Sequence, residues 1–144
     1  MCGATGRVLV VDDSADIRQL IGVNLELEGF EVVTAVDGVE ALEAVHRWCP
    51  DVVTLDLRMP RLDGLHTVAA LRADPRTQHL PIVVVSASGP RELARARQLG
   101  VAAAVAKPFD PGQLVAVVRA AAARGGAEAN PVAGEPVSSP TLER

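Results

Sequence analysis

Four stretches of this 144-residue sequence place reactive side chains at the ends of apolar runs. Asp12 and Asp13 follow "RVLVV", Asp56 follows "DVVTL", Ser86 closes "PIVVVS" and Lys107 follows "AAVA". Each has an ordinary reading alone: Asp caps a helix or shapes a turn, Ser turns the chain, Lys is solvated. Gathered at one place they are three carboxylates, a hydroxyl and an ammonium. Clustered carboxylates repel one another and favour a bound cation. Hard oxygen donors with room for water suit Mg²⁺, which takes one or two carboxylates and keeps several waters. A carboxylate beside Mg²⁺ can act as nucleophile in phosphoryl transfer and become an aspartyl phosphate. The metal, a cation such as Lys107 and a hydroxyl such as Ser86 would then share the charge on the phosphoryl oxygens.

Those side chains meet only if the apolar runs are strands of one sheet. Runs over 7–11, 31–35, 51–55, 81–86 and 103–106 read as strands. The first, third and fourth are nearly unbroken and β-branched, as for strands covered on both faces. Amphipathic segments lie between them. Ser14 fits a helix cap ahead of Ile17, Leu20, Ile21 and Leu25, with Gly29 as the stop. Val39, Leu42 and Val45 mark a second helix, and Leu65, Val68 and Ala69 a third that ends before Pro75. An Arg-rich stretch over 90–99 gives a short fourth. In "DPGQL", Asp110 caps, Pro111 takes the first helical position and Gln113 completes a capping-box pattern. Leu114, Val117, Val118 and Ala121 follow as its buried stripe. This alternation predicts an α/β fold with a parallel sheet and right-handed crossovers. Ligand crevices of such sheets lie outside the carboxyl ends of the strands, where the reactive residues stand.

Composition narrows the function classes. A net charge of −4 argues against the basic face that nucleic-acid binding needs. No run reaches the ~18 apolar residues of a membrane span. "MCGATGRVLVVDD" meets Asp too early for a signal peptide, so a cytoplasmic location is expected. Cys2 and Cys49 lack metal-ligand spacing and read as reduced thiols without a special role. His46, His66 and His79 are scattered and read as surface residues. The expected organisation is a short N-terminal segment over 1–6, one domain over 7–123 and a tail over 124–144. The tail, "GGAEANPVAGEPVSSPTLER" after Arg124, has no periodicity and is too short for an output domain.

"VLVVDDSADIR", "DVVTLDLRMPRLDGL", "PIVVVSAS" and "AKPF" together resemble the receiver domain of response regulators, the CheY-like module of two-component signalling. They stand in the family's order and near its spacing, over roughly residues 7 to 123. The resemblance implies a three-layer α/β/α, flavodoxin/CheY-like fold, doubly wound, with five parallel strands in the order 2-1-3-4-5. It implies Asp56 as phosphoacceptor and Asp13 and Asp56 as direct Mg²⁺ ligands. Asp12 would help mainly through water, and the backbone carbonyl of Arg58 would be a further ligand. Ser86 would be the switch hydroxyl, and Lys107 would pair with the phosphoryl group across a typically cis bond to Pro108. The donor would be a sensor histidine kinase or phosphotransfer protein. The target would be another protein, met by a stand-alone monomer or a weak homodimer through the face of the fourth helix, fifth strand and fifth helix. No nucleic-acid or membrane contact is expected, and no chemistry beyond self-phosphorylation and self-dephosphorylation.

Ala104 departs from the family pattern, which places Tyr or Phe three residues before the lysine. The usual relay from hydroxyl to inward-swinging ring therefore cannot operate in its ordinary form. Two other functions compete. A pseudo-receiver would be a constitutive interaction module with an idle site. A haloacid-dehalogenase-type phosphatase would also use Asp, Mg²⁺, a hydroxyl and Lys, but its nucleophile begins a D-x-D after the first strand, where this chain has adjacent Asp12-Asp13. Arg91, Arg95 and Arg97 read equally as a partner face or as a solvated one.

Overall fold

Alternation along each strand decides the architecture. The computed structural model of the chain describes residues 6–59, 62–87 and 89–129, the last six by backbone alone. The strands are β1 (Arg7–Val11), β2 (Glu31–Ala35), β3 (Val52–Leu55), β4 (Ile82–Ser86) and β5 (Ala103–Ala106). The helices are α1 (Ala15–Leu27), α2 (Gly38–Trp48), α3 (Gly64–Ala73), α4 (Pro90–Gln98) and α5 (Pro111–Ala129). All strand pairs are parallel, in the order β2-β1-β3-β4-β5. This is the doubly wound sheet that the alternation and the resemblance predict.

Successive residues of β1 point to opposite faces. Leu9 and Val11 join Ala41, Val45, Val68, Leu71 and Ala96 in a core beneath α2, α3 and α4. Val8 and Val10 join Ile21, Leu25, Leu114, Val115 and Val118 beneath α1 and α5. Each such aliphatic side chain contributes about 1.5–3 kcal/mol on burial, so an unbroken apolar strand serves two cores at once. β3 and β4 are buried along their whole length, whereas β2, at the sheet edge, is covered only in part.

Caps set where the helices begin. The Ser14 hydroxyl accepts from the Ile17 N–H, and Asp110 Oδ2 accepts from the Gln113 N–H at 3.2 Å. Asp37 and Asp63 cap α2 and α3 in the same way, accepting from the N–H groups of Glu40 and His66 at 2.9 Å each. α5 continues through Ala129, so residues 124–129 of the segment read as a tail are helical. Ala and Glu favour helix strongly enough to carry it past the Gly pair at 125 and 126. Residues 130–144 lie outside the described residues.

The reading of Cys49 as a free thiol is not upheld. Cys49 closes α2 in the left-handed conformation, with φ of 50°, and is disulfide-bonded; Cys2, read in the same way, lies outside the described residues. The start of β1 sits against the end of α2: the Arg7 guanidinium donates to the Trp48 carbonyl, and the Arg7 N–H to Asp51 Oδ2 at 2.8 Å.

One glycine holds the end of β3 against α3. A Cβ on Gly64 would come within 2.4 Å of the Asp56 carbonyl oxygen and 2.5 Å of Leu57 Cα, both backbone atoms. We predict that Gly64→Ala lowers stability by about 1–3 kcal/mol in urea unfolding, the usual cost of overpacking. Gly112→Ala, whose Cβ would meet only Asp110 Oδ2 at 3.6 Å, should leave stability unchanged or raise it slightly. The Thr54 hydroxyl on β3 is buried with no hydrogen-bond partner among the described residues. Thr54→Val keeps its shape and should raise the same unfolding free energy by about 1 kcal/mol.

Candidate functional site

Register brings the reactive residues together. Val11 lies opposite Leu55 in the β1–β3 pair, so Asp12 and Asp56 leave the sheet side by side. Ser86 lies opposite Ala106 in the β4–β5 pair, so Lys107 follows next to Ser86, and its N–H donates to the Ser86 carbonyl at 3.1 Å. The ladder extends past the strands on the other side too. The Asp56 N–H donates to the Val11 carbonyl at 3.0 Å, and the Asp12 N–H to that of Ala35 at 3.2 Å. All five candidates thus stand at one edge, and the Lys107–Pro108 bond is cis.

The side chains form one connected group. Lys107 Nζ donates to Asp12 Oδ2 at 2.8 Å and lies 3.4 Å from Asp56 Oδ2. Carboxylate oxygens of Asp12, Asp13 and Asp56 lie within 4.8 Å of one another. Asp12 and Asp56 are buried, at 1% and 5% exposure, while Asp13 faces solvent. The Ser86 hydroxyl, also buried, hydrogen-bonds to Asp56. Backbone amides complete the cradle: Ser14 N–H donates to Asp12 Oδ1 at 2.9 Å, and Arg58 N–H to Asp56 Oδ1 at 3.2 Å.

Burial dominates the electrostatics of Asp56. Loss of water pushes its carboxyl above the usual carboxylate range, aided by the nearby Asp12 charge. The Arg58 N–H, the Lys107 charge and the Ser86 hydroxyl oppose that rise without cancelling it. Lys107 moves upward as well. Burial is the largest single influence on it and pulls it down, but the hydrogen bond and charge of Asp12, with those of Asp56, outweigh the burial.

Three supporting residues carry weaker sequence signals. Arg18, in the first turns of α1, donates to the Asp12 carbonyl at 2.8 Å. Asp63, the cap of α3, and Gly64 beside it pin the segment after Asp56, where the Gly64 N–H donates to the Leu57 carbonyl at 3.0 Å. The "DG" pair before an apolar helical stripe marks such a start. Position 104 lacks the ring that the resemblance implies: Ala104 packs, partly buried, against the core beneath α2–α4.

The raised Asp56 carboxyl has a thermodynamic sign. A group whose pKa is higher folded than unfolded favours the folded state below its unfolded value, and that advantage is lost as pH rises through the folded value. At neutral pH the Asp56 carboxylate therefore opposes folding. Asp56→Asn should raise the melting temperature at pH 7 without added metal, and the gain should shrink as pH falls toward 4. Equal melting temperatures at pH 7 would contradict that account.

Comparison with known proteins agrees with this geometry. Residues 8–119 match the response regulator receiver domain family. The chain is 43% identical over 124 residues to the transcriptional regulatory protein PrrA of Mycobacterium tuberculosis, covering 85% of this chain and 52% of that one. It is 35% identical over 115 residues to the DNA-binding dual master transcriptional regulator RpaA of Synechocystis, covering 79% and 48%. It therefore spans about half the length of these relatives. The solved structure of chemotaxis protein CheY4 from Vibrio cholerae superposes with a TM-score of 0.76 at 33% identity, over 82% of this chain and 99% of that one. With a parallel five-stranded sheet, an acidic cluster at its carboxyl edge and a family match over most of its folded length, the chain belongs to the response regulator receiver domain family.

Proposed function

We propose that this protein is a phosphorylation-controlled switch whose acceptor is Asp56. One observation carries the reading: Lys107 Nζ bridges the buried carboxylates of Asp12 and Asp56, at 2.8 and 3.4 Å. That leaves a cation aimed at the place where a phosphoryl group on Asp56 would sit. Receiver domains are signalling switches that interact with histidine kinases, and a phosphohistidine on a sensor kinase or phosphotransfer protein is the proposed donor.

The step is simple to balance. An Asp56 carboxylate oxygen attacks phosphorus, the P–N bond to the donor imidazole breaks, and the imidazole leaves with the bonding pair and gains a proton. Hydrolysis follows when water attacks the phosphorus and loses a proton, the P–O bond to Asp56 breaks, and the carboxylate and inorganic phosphate are released. Lys107 compensates charge on the phosphoryl oxygens. The Ser86 hydroxyl, hydrogen-bonded to Asp56, would turn toward them. Asp13 and Asp56 would hold Mg²⁺ directly, Asp12 mainly through water, and the Arg58 carbonyl would add a ligand. The close carboxylates and the raised Asp56 fit such a cation. Mg²⁺ bound there would neutralise the charge that builds up on the transferring group.

The output partner is a protein met through the changed surface of α4, β5 and α5, by a monomer or by a weak homodimer formed through that same face. CheY4, matched over 99% of its length, supports a receiver acting alone; PrrA and RpaA, matched over half, support one joined to further chain. RpaA is DNA-binding by name, so the expectation of no nucleic-acid contact is confined to the domain described here, where the net charge of −4 for the whole sequence supports it. Among the described residues no helix is long and apolar enough to cross a membrane. An ATP-charged phosphohistidine donor suits the cytoplasm. The receiver match leaves nothing that favours the dehalogenase-type phosphatase.

The test is chemical. With Mg²⁺ and acetyl phosphate, the wild type should acquire an acid-stable, base-labile phosphate, and Asp56→Asn should acquire none. Lys107→Ala should bind Mg²⁺, seen as a rise in melting temperature at millimolar metal, yet label at least ~10-fold more slowly. A wild type that never labels under varied donors would instead be a pseudo-receiver.

A further inference from the structure

Arg58 faces two ways. Its backbone N–H donates to Asp56 Oδ1 at 3.2 Å, while its guanidinium reaches Glu92 Oε1, in the first turn of α4, at 3.4 Å. One residue thus touches the proposed acceptor at its backbone and the first turn of α4 at its tip. Apart from this pair, the start of α4 is held by Leu93, which packs partly buried against the core beneath α2–α4. The helix cap, Gly89, makes no side-chain hydrogen bond, a Cβ there would meet nothing within 4 Å among the described residues, and of the nine residues of α4 only Ala96 is fully buried. The ring that would couple this helix to the site in the family pattern is absent at Ala104.

We propose that the Arg58 side chain is the coupling element: it tethers α4 through Glu92 in the unphosphorylated state and transfers to the phosphoryl group when Asp56 is modified. This rests on Asp56 being the acceptor. The direction follows from charge. Glu92 offers one carboxylate, 37% exposed, to a guanidinium that is 68% exposed. A phosphoryl group carries about −1.5 to −2 charge at pH 7 and three acceptor oxygens. The planar guanidinium fork binds such a group in bidentate fashion, more strongly than a single solvated carboxylate. Asp56 lies only two residues away, so the new partner is within reach of the same side chain.

Two changes follow from the transfer. The first turn of α4 loses its tether. Glu92 also lines a shallow groove of about 450 Å³ with Leu65, Arg91, Arg95 and Gln98, and its freed carboxylate alters the charge of that groove. The signal thereby reaches a surface without any aromatic relay.

Backbone hydrogen exchange over Glu92–Arg95 tests this on the full chain, with Mg²⁺ alone and with Mg²⁺ plus beryllofluoride as the phosphoryl stand-in. Loading is followed independently by ¹⁹F NMR. In the wild type, loading should speed exchange about 2- to 5-fold, the size of effect that losing one exposed ion pair allows. Glu92→Gln should exchange fast before loading and change little on loading. The exchanged pair, Arg58→Glu with Glu92→Arg, is the decisive variant. It should re-form the tether yet show no loosening on loading, because the carboxylate at position 58 is repelled by the phosphoryl stand-in. An ion pair that only stabilises α4 would leave the loading response of the exchanged pair equal to that of the wild type, and that result overturns the coupling. Loading that leaves wild-type exchange unchanged overturns it as well, with Asp56 still standing as the acceptor. A wild type that neither loads nor takes phosphate overturns both.

Discussion

An ammonium between two carboxylates that water barely reaches holds the working edge of this sheet together. Asp12 and Asp56 are adjacent because β1 and β3 are adjacent and in register, and parallel pairing leaves them no freedom to move apart. Two buried charges of one sign at that spacing are costly. Lys107 offsets the cost from the end of β5, two strands away from β3, which ties the outer strand to the middle of the sheet. The amides of Ser14 and Arg58, the Ser86 hydroxyl and the Gly64 packing all serve to fix where those charges lie.

Much of this was legible in the sequence, for identifiable reasons. β-branched runs broken by helix caps announce a parallel sheet, and such a sheet gathers its strand ends. Asp12, Asp13, Asp56, Ser86 and Lys107 could therefore be placed at one edge before any coordinates were known. Asp110 and Ser14 announced their helices because short polar side chains have few better uses there. What stayed hidden depends on distances across the fold. The Arg58–Glu92 contact joins a loop to a helix with no local pattern to mark it. The tightness around Gly64 depends on the backbone of Leu57, which no spacing encodes. Cys49 looked isolated because the meeting of α2 with the start of β1 is a tertiary fact. α5 ran past its expected end because a change of composition is not a helix stop when no proline follows at once.

Ala104 separates two properties that the family pattern usually joins. The residues around Asp56 have the types and positions that the proposed chemistry asks for, and none of them touches the question of the ring. A small side chain at 104 still packs against the core beneath α2–α4. The fold therefore tolerates alanine there, and under the proposed function what alanine would change is the route from the sheet edge to α4. That route then has to use groups that already reach across the gap.

Asp56 follows the middle strand of five and is only 5% exposed, with helices covering both faces of the sheet. Any molecule that touches its carboxylate must come in along the strand axis, over the loops that follow β1, β3, β4 and β5. A phosphate donor and a protein that reads the phosphate by direct contact would exclude each other, so a signal read there could begin only after the donor had left. A surface remote from the strand ends carries no such restriction. Timing, as well as affinity, therefore favours reading the modification from the flank of the domain, where donor and listener can be present together.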